Sequence, residues 1–65
     1  LSDNAILLFG EAVAGTGRTT EARGLFQQFE KQFPHSELLP QAQLAIARTY
    51  EQDKSWTNAI RQYIS

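Results

Sequence analysis

Between Thr20 and Pro34 the chain reads TEARGLFQQFEKQFP, and its apolar residues Ala22, Leu25, Phe26, Phe29 and Phe33 recur at steps of three and four. Residues so spaced share one side of a helix, so this stretch is predicted to be a helix that must be covered. Thr19 or Thr20 would cap its start, and Pro34, which cannot extend the hydrogen-bond ladder, ends it there or at Phe33. Three other stretches carry a helical period. From a cap at Ser2 or Asp3, a first helix runs to about Ala14. Its residues Ala5, Ile6, Leu8, Phe9, Ala12 and Val13 cover more than one stripe, which predicts two packing neighbours and leaves Leu7 pointing elsewhere. Gly15-Thr16-Gly17 breaks that helix, because glycine takes a left-handed conformation without a Cβ clash.

Beyond Pro34, Ser36 is placed to cap an irregular turn. Pro40 is tolerated in a first helical turn, so a third helix is expected from near Leu39 to about Gln52. Its stripe is Ala42, Ala45, Ile46, Ala47 and Tyr50, with Leu44 on another face. Asp53-Lys54-Ser55 forms the next turn, and Trp56, Ala59, Ile60 and Tyr63 trace the inner stripe of a fourth helix. That pattern is still running at Ser65, and the chain has no starting Met, so it is expected to be part of a longer protein. The short connections predict antiparallel hairpins.

The two halves repeat. Laying Ala22 on Ala59, an offset of 37 residues, sets Ala5 on Ala42, Phe9 on Ile46, Gly10 on Ala47 and Phe26 on Tyr63. A helical hairpin repeated at about this period is the mark of a solenoid, in which neighbouring units bury their apolar faces jointly. The residues Ile6, Phe9, Gly10, Val13, Ala22, Phe26 and Pro34, and then Gln43, Ile46, Ala47, Tyr50, Ala59 and Tyr63, resemble the W-x2-L-G-x2-Y, A-x3-F, P pattern of tetratricopeptide repeats. The resemblance covers nearly the whole chain. It implies an all-α fold in which two antiparallel helical hairpins, four helices in all, stack as a short right-handed solenoid. Residues 1–65 would then be one domain, with one repeat over about 3–34 and a second over about 39–65. The chain departs from the pattern in three ways. The repeat is three residues longer than the usual 34, most simply in the loop from Pro34 to Leu39; Ile6 and Gln43 stand where Trp is frequent; and Phe29 is bulkier than the usual small residue. The stretch FPHSELLPQA is similar to that of bacterial cell-envelope members, the periplasmic division-coordination and outer-membrane assembly lipoprotein types, which implies a periplasmic setting.

Composition removes several partners. A formal charge of −1, with both signs interspersed, supplies no field for nucleic acid or an anionic membrane. The longest apolar run, Ala5 to Phe9, is far short of the roughly 20 residues of a membrane span. Without cysteine there is neither a disulfide framework nor a thiolate site. A chain of 65 residues buries only about 60% of its unfolded surface, so its core is small.

Candidate chemistry is equally sparse. The turn AGTGRTT suggests a phosphate loop, but Ala12 stands where the first glycine is needed, Arg18 where the lysine is, and a helix rather than a strand precedes it. It is read as a turn. His35 is the only histidine and has neither metal-ligand companions nor a nucleophile beside it, so it is read as a loop residue. Trp56, Phe26, Phe29 and Phe33 lie at core spacing, not as a base-stacking platform interleaved with cations. Arg23, Lys31, Arg48 and Arg61 alternate with Glu21, Glu30 and Glu51 as solvated helix faces. No catalytic, metal-binding or cofactor-binding residue emerges.

One set of positions suggests binding. In tetratricopeptide arrays the first helix of each hairpin lines the concave surface. Carried over, this resemblance assigns a partner groove to Asn4, Leu7, Glu11 and Ala14, and to Gln41, Leu44, Arg48 and Glu51. Glu11 stands where relatives that hold a terminal carboxylate have a cation, which argues against that ligand class. Leu7 and Leu44 in the floor with Glu11 and Arg48 on the wall would suit an extended peptide or a helix. Against this, Leu7 and Leu44 could simply pack on the following hairpin. The expected function is a non-enzymatic protein-interaction module. The rival is an architectural module that pairs with a second copy through Trp56, Ile60 and Ile64 on the flank of the fourth helix. An enzyme and a DNA-reading helix-turn-helix rank below both, the latter because the helices carry few cations.

Overall fold

In the computed structural model, which describes residues 2–64, the chain forms four helices: α1 (Asp3–Gly15), α2 (Thr19–Gln32), α3 (Leu39–Gln52) and α4 (Trp56–Ile64). Among the described residues there is no strand. The expectation that the fourth helix is still running at Ser65 falls on a residue outside them. Ser2 caps α1 by accepting from the Ala5 amide at 3.2 Å, which satisfies one of the donors a helix start leaves without a partner. Pro40 lies in the first turn of α3, where its missing N–H removes no bond. Ser36 accepts from the Leu38 amide at 3.0 Å and donates to Asp3 at 2.6 Å, so the loop after α2 is tied back to the start of α1.

Helices adjacent in sequence pack together, and α1 also touches α3, whereas α4 rests on α3 alone. The core consists of Ile6 and Leu7 from α1, Ala22, Phe26 and Phe29 from α2, and Ala42 and Ile46 from α3. Ala22 and Ala42 let helix backbones approach, and the two phenylalanines fill the space beside them. No buried side-chain polar atom among the described residues lacks a hydrogen bond.

Three expectations are corrected. Helix α1 does have two neighbours, but the face it turns to them is Ile6, Leu7 and Gly10, with Val13 and Ala14 partly buried, while Leu8, Phe9 and Ala12 are exposed. At 100° per residue Leu7 and Ala14 fall on one line beside Ile6, Gly10 and Val13, and it is this widened stripe that reaches both α2 and α3. Of the inner stripe expected for α4, only Ala59 is buried; Trp56, Ile60 and Tyr63 are exposed because, among the described residues, α4 packs on α3 alone. Thr19 does not cap α2. Arg18 holds the cap position without a side-chain bond, and the Thr19 hydroxyl donates instead to Asp53 at 2.5 Å.

That bond belongs to a polar cluster joining α2 to the end of α3. The Arg23 guanidinium donates to Asp53 at 2.6 Å and to the Thr49 hydroxyl at 3.0 Å, and lies 3.9 Å from the centroid of the Tyr50 ring. Thr49, itself buried, passes its own proton to the Ile46 carbonyl at 2.6 Å. The Thr19 hydroxyl and then Arg23 hold the Asp53 carboxyl below its ordinary value. The folded chain therefore binds the Asp53 proton less tightly than the unfolded chain, and the bonds stabilise the fold at pH values above the unfolded Asp value of about 3.9. Their contribution is lost as pH falls through the lower folded value. Asp3, depressed chiefly by the Ser36 hydroxyl, acts in the same direction. Acid titration followed by circular dichroism is expected to show helicity falling below about pH 4, and Asp53→Asn is expected to flatten that slope while lowering stability at neutral pH. An unchanged slope in the variant would remove Asp53 from this role.

The turns inside the two hairpins each hold one residue at positive φ. Gly17 has φ 90° after α1, and Lys54, 37 residues on, has φ 60° after α3. After α3 the Ser55 amide donates to the Tyr50 carbonyl at 2.8 Å and Lys54 to Glu51 at 2.9 Å, the paired bonds of a helix end closed by a left-handed residue. The internal repeat thus extends from side-chain pattern to backbone conformation.

Candidate functional site

An open groove of about 420 Å³ lies between α1 and α3. Glu11 and Ala14 form its α1 side, and Gln41, Leu44, Ala45, Arg48 and Gln52 its α3 side, with Phe26 and Thr49 between them. These residues converge for a helical reason: 11 and 14 on α1, and 41, 44/45, 48 and 52 on α3, recur at steps of three and four, so each helix presents one line of side chains. Leu44 is partly exposed there, with Arg48 one turn further along.

Of the groove residues read from the sequence, Glu11, Ala14, Gln41, Leu44 and Arg48 lie on this concavity. Three do not. Leu7 is only 3% exposed and belongs to the core, so the structure corrects its assignment to an open groove floor. It is buried in the core cluster that includes Ala42 and Ile46 of α3, as in the packing alternative stated for it, whereas Leu44 is exposed. Asn4 is exposed but off the groove. Glu51 accepts from the Tyr63 hydroxyl at 2.7 Å, a bond that raises the Tyr63 phenol above its ordinary value. Four groove residues carried no sequence signal of that role: Phe26 and Ala45, which read as core, Thr49, which breaks the apolar pattern of α3 only once, and Gln52, which reads only as the end of α3.

The groove is mixed in character. Leu44, Ala45 and Ala14 supply apolar surface above the buried Phe26 ring, and Glu11 and Arg48 supply one charge of each sign. Neither of these two charges forms a salt bridge among the described residues; the pairs present are Arg23–Asp53 and the long, exposed Arg18–Glu21 contact at 4.0 Å. Both are thus available to a bound chain. A second, shallower hollow of about 200 Å³ lies between Pro40, Gln43 and Leu44 of α3 and Gln62 and Tyr63 of α4.

The remaining sites expected from sequence sit apart from the groove. His35 is an exposed loop residue, and Gly15-Thr16-Gly17 closes α1, with the Thr16 and Gly17 amides bonded back to Val13 and Ala14. Among the described residues no group of three His, Cys, Asp or Glu side chains is placed to hold a metal ion, and no helix is long and apolar enough to cross a membrane. Trp56, Ile60 and Ile64 are all exposed on α4. No family model, curated protein or solved structure matches this chain.

Proposed function

We propose that the chain is a protein-interaction module of two stacked, tetratricopeptide-like hairpins, and that the groove between α1 and α3 receives a segment of a partner protein. The observation that carries this reading is the open groove that brings the exposed Leu44 together with Glu11 and Arg48. An extended peptide or one face of a helix would lay apolar side chains against Leu44 and Ala45, gaining affinity from buried area, while the two charges of opposite sign fix its direction. The internal repeat at 37 residues, now seen in the turn backbone at Gly17 and Lys54, supports the stacked-hairpin arrangement. Bonds such as Arg23 to Asp53 make the α2–α3 junction stiff, which lowers the ordering cost a binding surface incurs.

Selection of peptides from a random displayed library against the chain tests this. The expected result is a set sharing an apolar residue near an acidic one, with affinity falling at least about tenfold, or about 1.4 kcal/mol, in Leu44→Asp and in Arg48→Glu. Both positions are exposed, so far-ultraviolet circular dichroism should be unchanged. Peptides that bind both variants as well as the parent would remove the groove from the function.

A further inference from the structure

The exposed large apolar residues of the chain gather at its two ends. Leu8 and Phe9 are on α1, and Trp56, Ile60, Tyr63 and Ile64 are on α4, with Leu44 beside Tyr63. The repeat shows what each end lacks. Phe9 occupies the place of Ile46, yet Ile46 is 2% exposed, covered in the cluster that includes Phe26, whereas Phe9 is 56% exposed. Ile60 occupies the place of Arg23, which packs on Tyr50, Thr49 and Asp53 of α3, yet Ile60 is 58% exposed. The face of α3 that corresponds to the exposed face of α1 is covered by α2, and α4 is the repeat of α2.

We propose that the chain stacks on copies of itself head to tail, the outer face of α4 of one copy seating on the outer face of α1 of the next as α2 already seats on α3. The chemistry of the two ends matches under this operation. Where Arg23 meets Thr49, Tyr50 and Asp53 inside the chain, the equivalent residues between copies are Ile60 with Ala12, Val13 and Thr16. The charged pair and its hydroxyl have been replaced on both sides at once, so no charge is left without a partner in the junction. Trp56 replaces Thr19 and would cover Thr16 in the place where Thr19 bonds Asp53. An interface that joins different faces of identical subunits does not close on itself unless the rotation returns, so growth beyond a dimer follows. Phe9 and Ile60 both lie off the groove, so the proposal stands or falls apart from the groove reading.

Sedimentation of the 65-residue chain across a wide concentration range tests it, using Phe9→Glu to block one end and Ile60→Glu to block the other. Both sites are exposed, and retained helicity by circular dichroism confirms folding. The expected result has three parts. The parent chain grows past twice its own mass with concentration, each variant alone stays monomeric, and an equimolar mixture of the two forms a dimer and stops there, because each supplies the end the other has lost. Trp56, the single tryptophan, reports on the same event in the unaltered chain, its emission shifting to the blue as concentration rises. A parent that stops at a dimer, with Phe9→Glu still dimerising, would mean that α4 pairs with α4 and would overturn the head-to-tail geometry. A monomer at every concentration, with constant Trp56 emission, would overturn stacking altogether.

Discussion

Phe29→Ala is expected to leave most of the chain unfolded at 25 °C. The Phe29 side chain is fully buried, in the core that joins the first three helices, and its ring lies tilted against Phe33 with centroids 5.5 Å apart. Truncating a buried phenylalanine costs about 3–5 kcal/mol in lost transfer energy and residual cavity. The lost ring–ring contact accounts for about 0.5–1.5 kcal/mol beyond simple burial. A chain of this length has a total stability of roughly 3–10 kcal/mol at ~0.05–0.15 kcal/mol per residue, so one substitution removes much or all of it. The site cannot readily collapse, because Ala22 and Ala42 of the same core cluster have no side-chain length with which to fill a void. Phe33 is only partly buried and its loss should cost less. Urea unfolding monitored by circular dichroism checks both, with the midpoint falling in the order parent, Phe33→Ala, Phe29→Ala. Equal midpoints for the two variants would mean that Phe29 is not the pivot of the core.

The same residue shows what was legible before the structure. The stripe Ala22, Phe26, Phe29 is where the periodicity placed it, because a helix packed on both sides shows its spacing without ambiguity. Helix starts and ends were legible where a residue with one physical meaning marked them: Ser2, Gly17, Pro34 and Pro40. Faces were less so. In α1, a run of apolar residues from Ala5 to Phe9 offers several equally good stripes, and the choice between Leu7 and Phe9 is made by tertiary contact with α3, which no local pattern encodes. In α4, periodicity showed an apolar stripe but not how little of it meets another helix, since α4 packs on α3 alone among the described residues. Lys54 hid the second copy of the turn, since lysine has no preference for the left-handed φ that glycine advertises at position 17. Arg23 reads as one more solvated charge; its bonds to Thr49 and Asp53 span 26 and 30 residues, beyond the reach of any local rule. The groove was legible in Glu11, Gln41, Leu44 and Arg48, because residues outside a packing stripe must face something else.

Adding one methyl group at Gly10 and at Gly24 is expected to change stability in opposite directions. Both glycines lie inside helices, where replacement by alanine stabilises by about 0.8–1.0 kcal/mol through reduced backbone freedom. At Gly24 a Cβ meets nothing within 4 Å, so the full gain is expected. At Gly10 a Cβ would lie 2.6 Å from Cε1 of Phe26 and 3.0 Å from its Cζ, well inside the 3.5–4.0 Å at which carbons attract. The Phe26 ring is 1% exposed, so it has no solvent-side space into which to swing, and α1 must lift or the ring must leave its rotamer. Such overpacking costs about 1–3 kcal/mol. Because the helix-propensity term is common to both sites, the difference between Gly10→Ala and Gly24→Ala isolates the steric term and should equal about 1–3 kcal/mol. The second hairpin shows why the constraint is local: Ala47 stands in the place of Gly10, and the residue in the place of Phe26 is Tyr63, which is half exposed and bonded to Glu51. Phe26→Leu should therefore restore part of the stability lost in Gly10→Ala, a coupling that a double-mutant cycle measures. If the two alanine variants are equally stable, α1 does not approach α2 as closely as the Phe26 contact requires. The floor of the groove would then be set by something other than that ring.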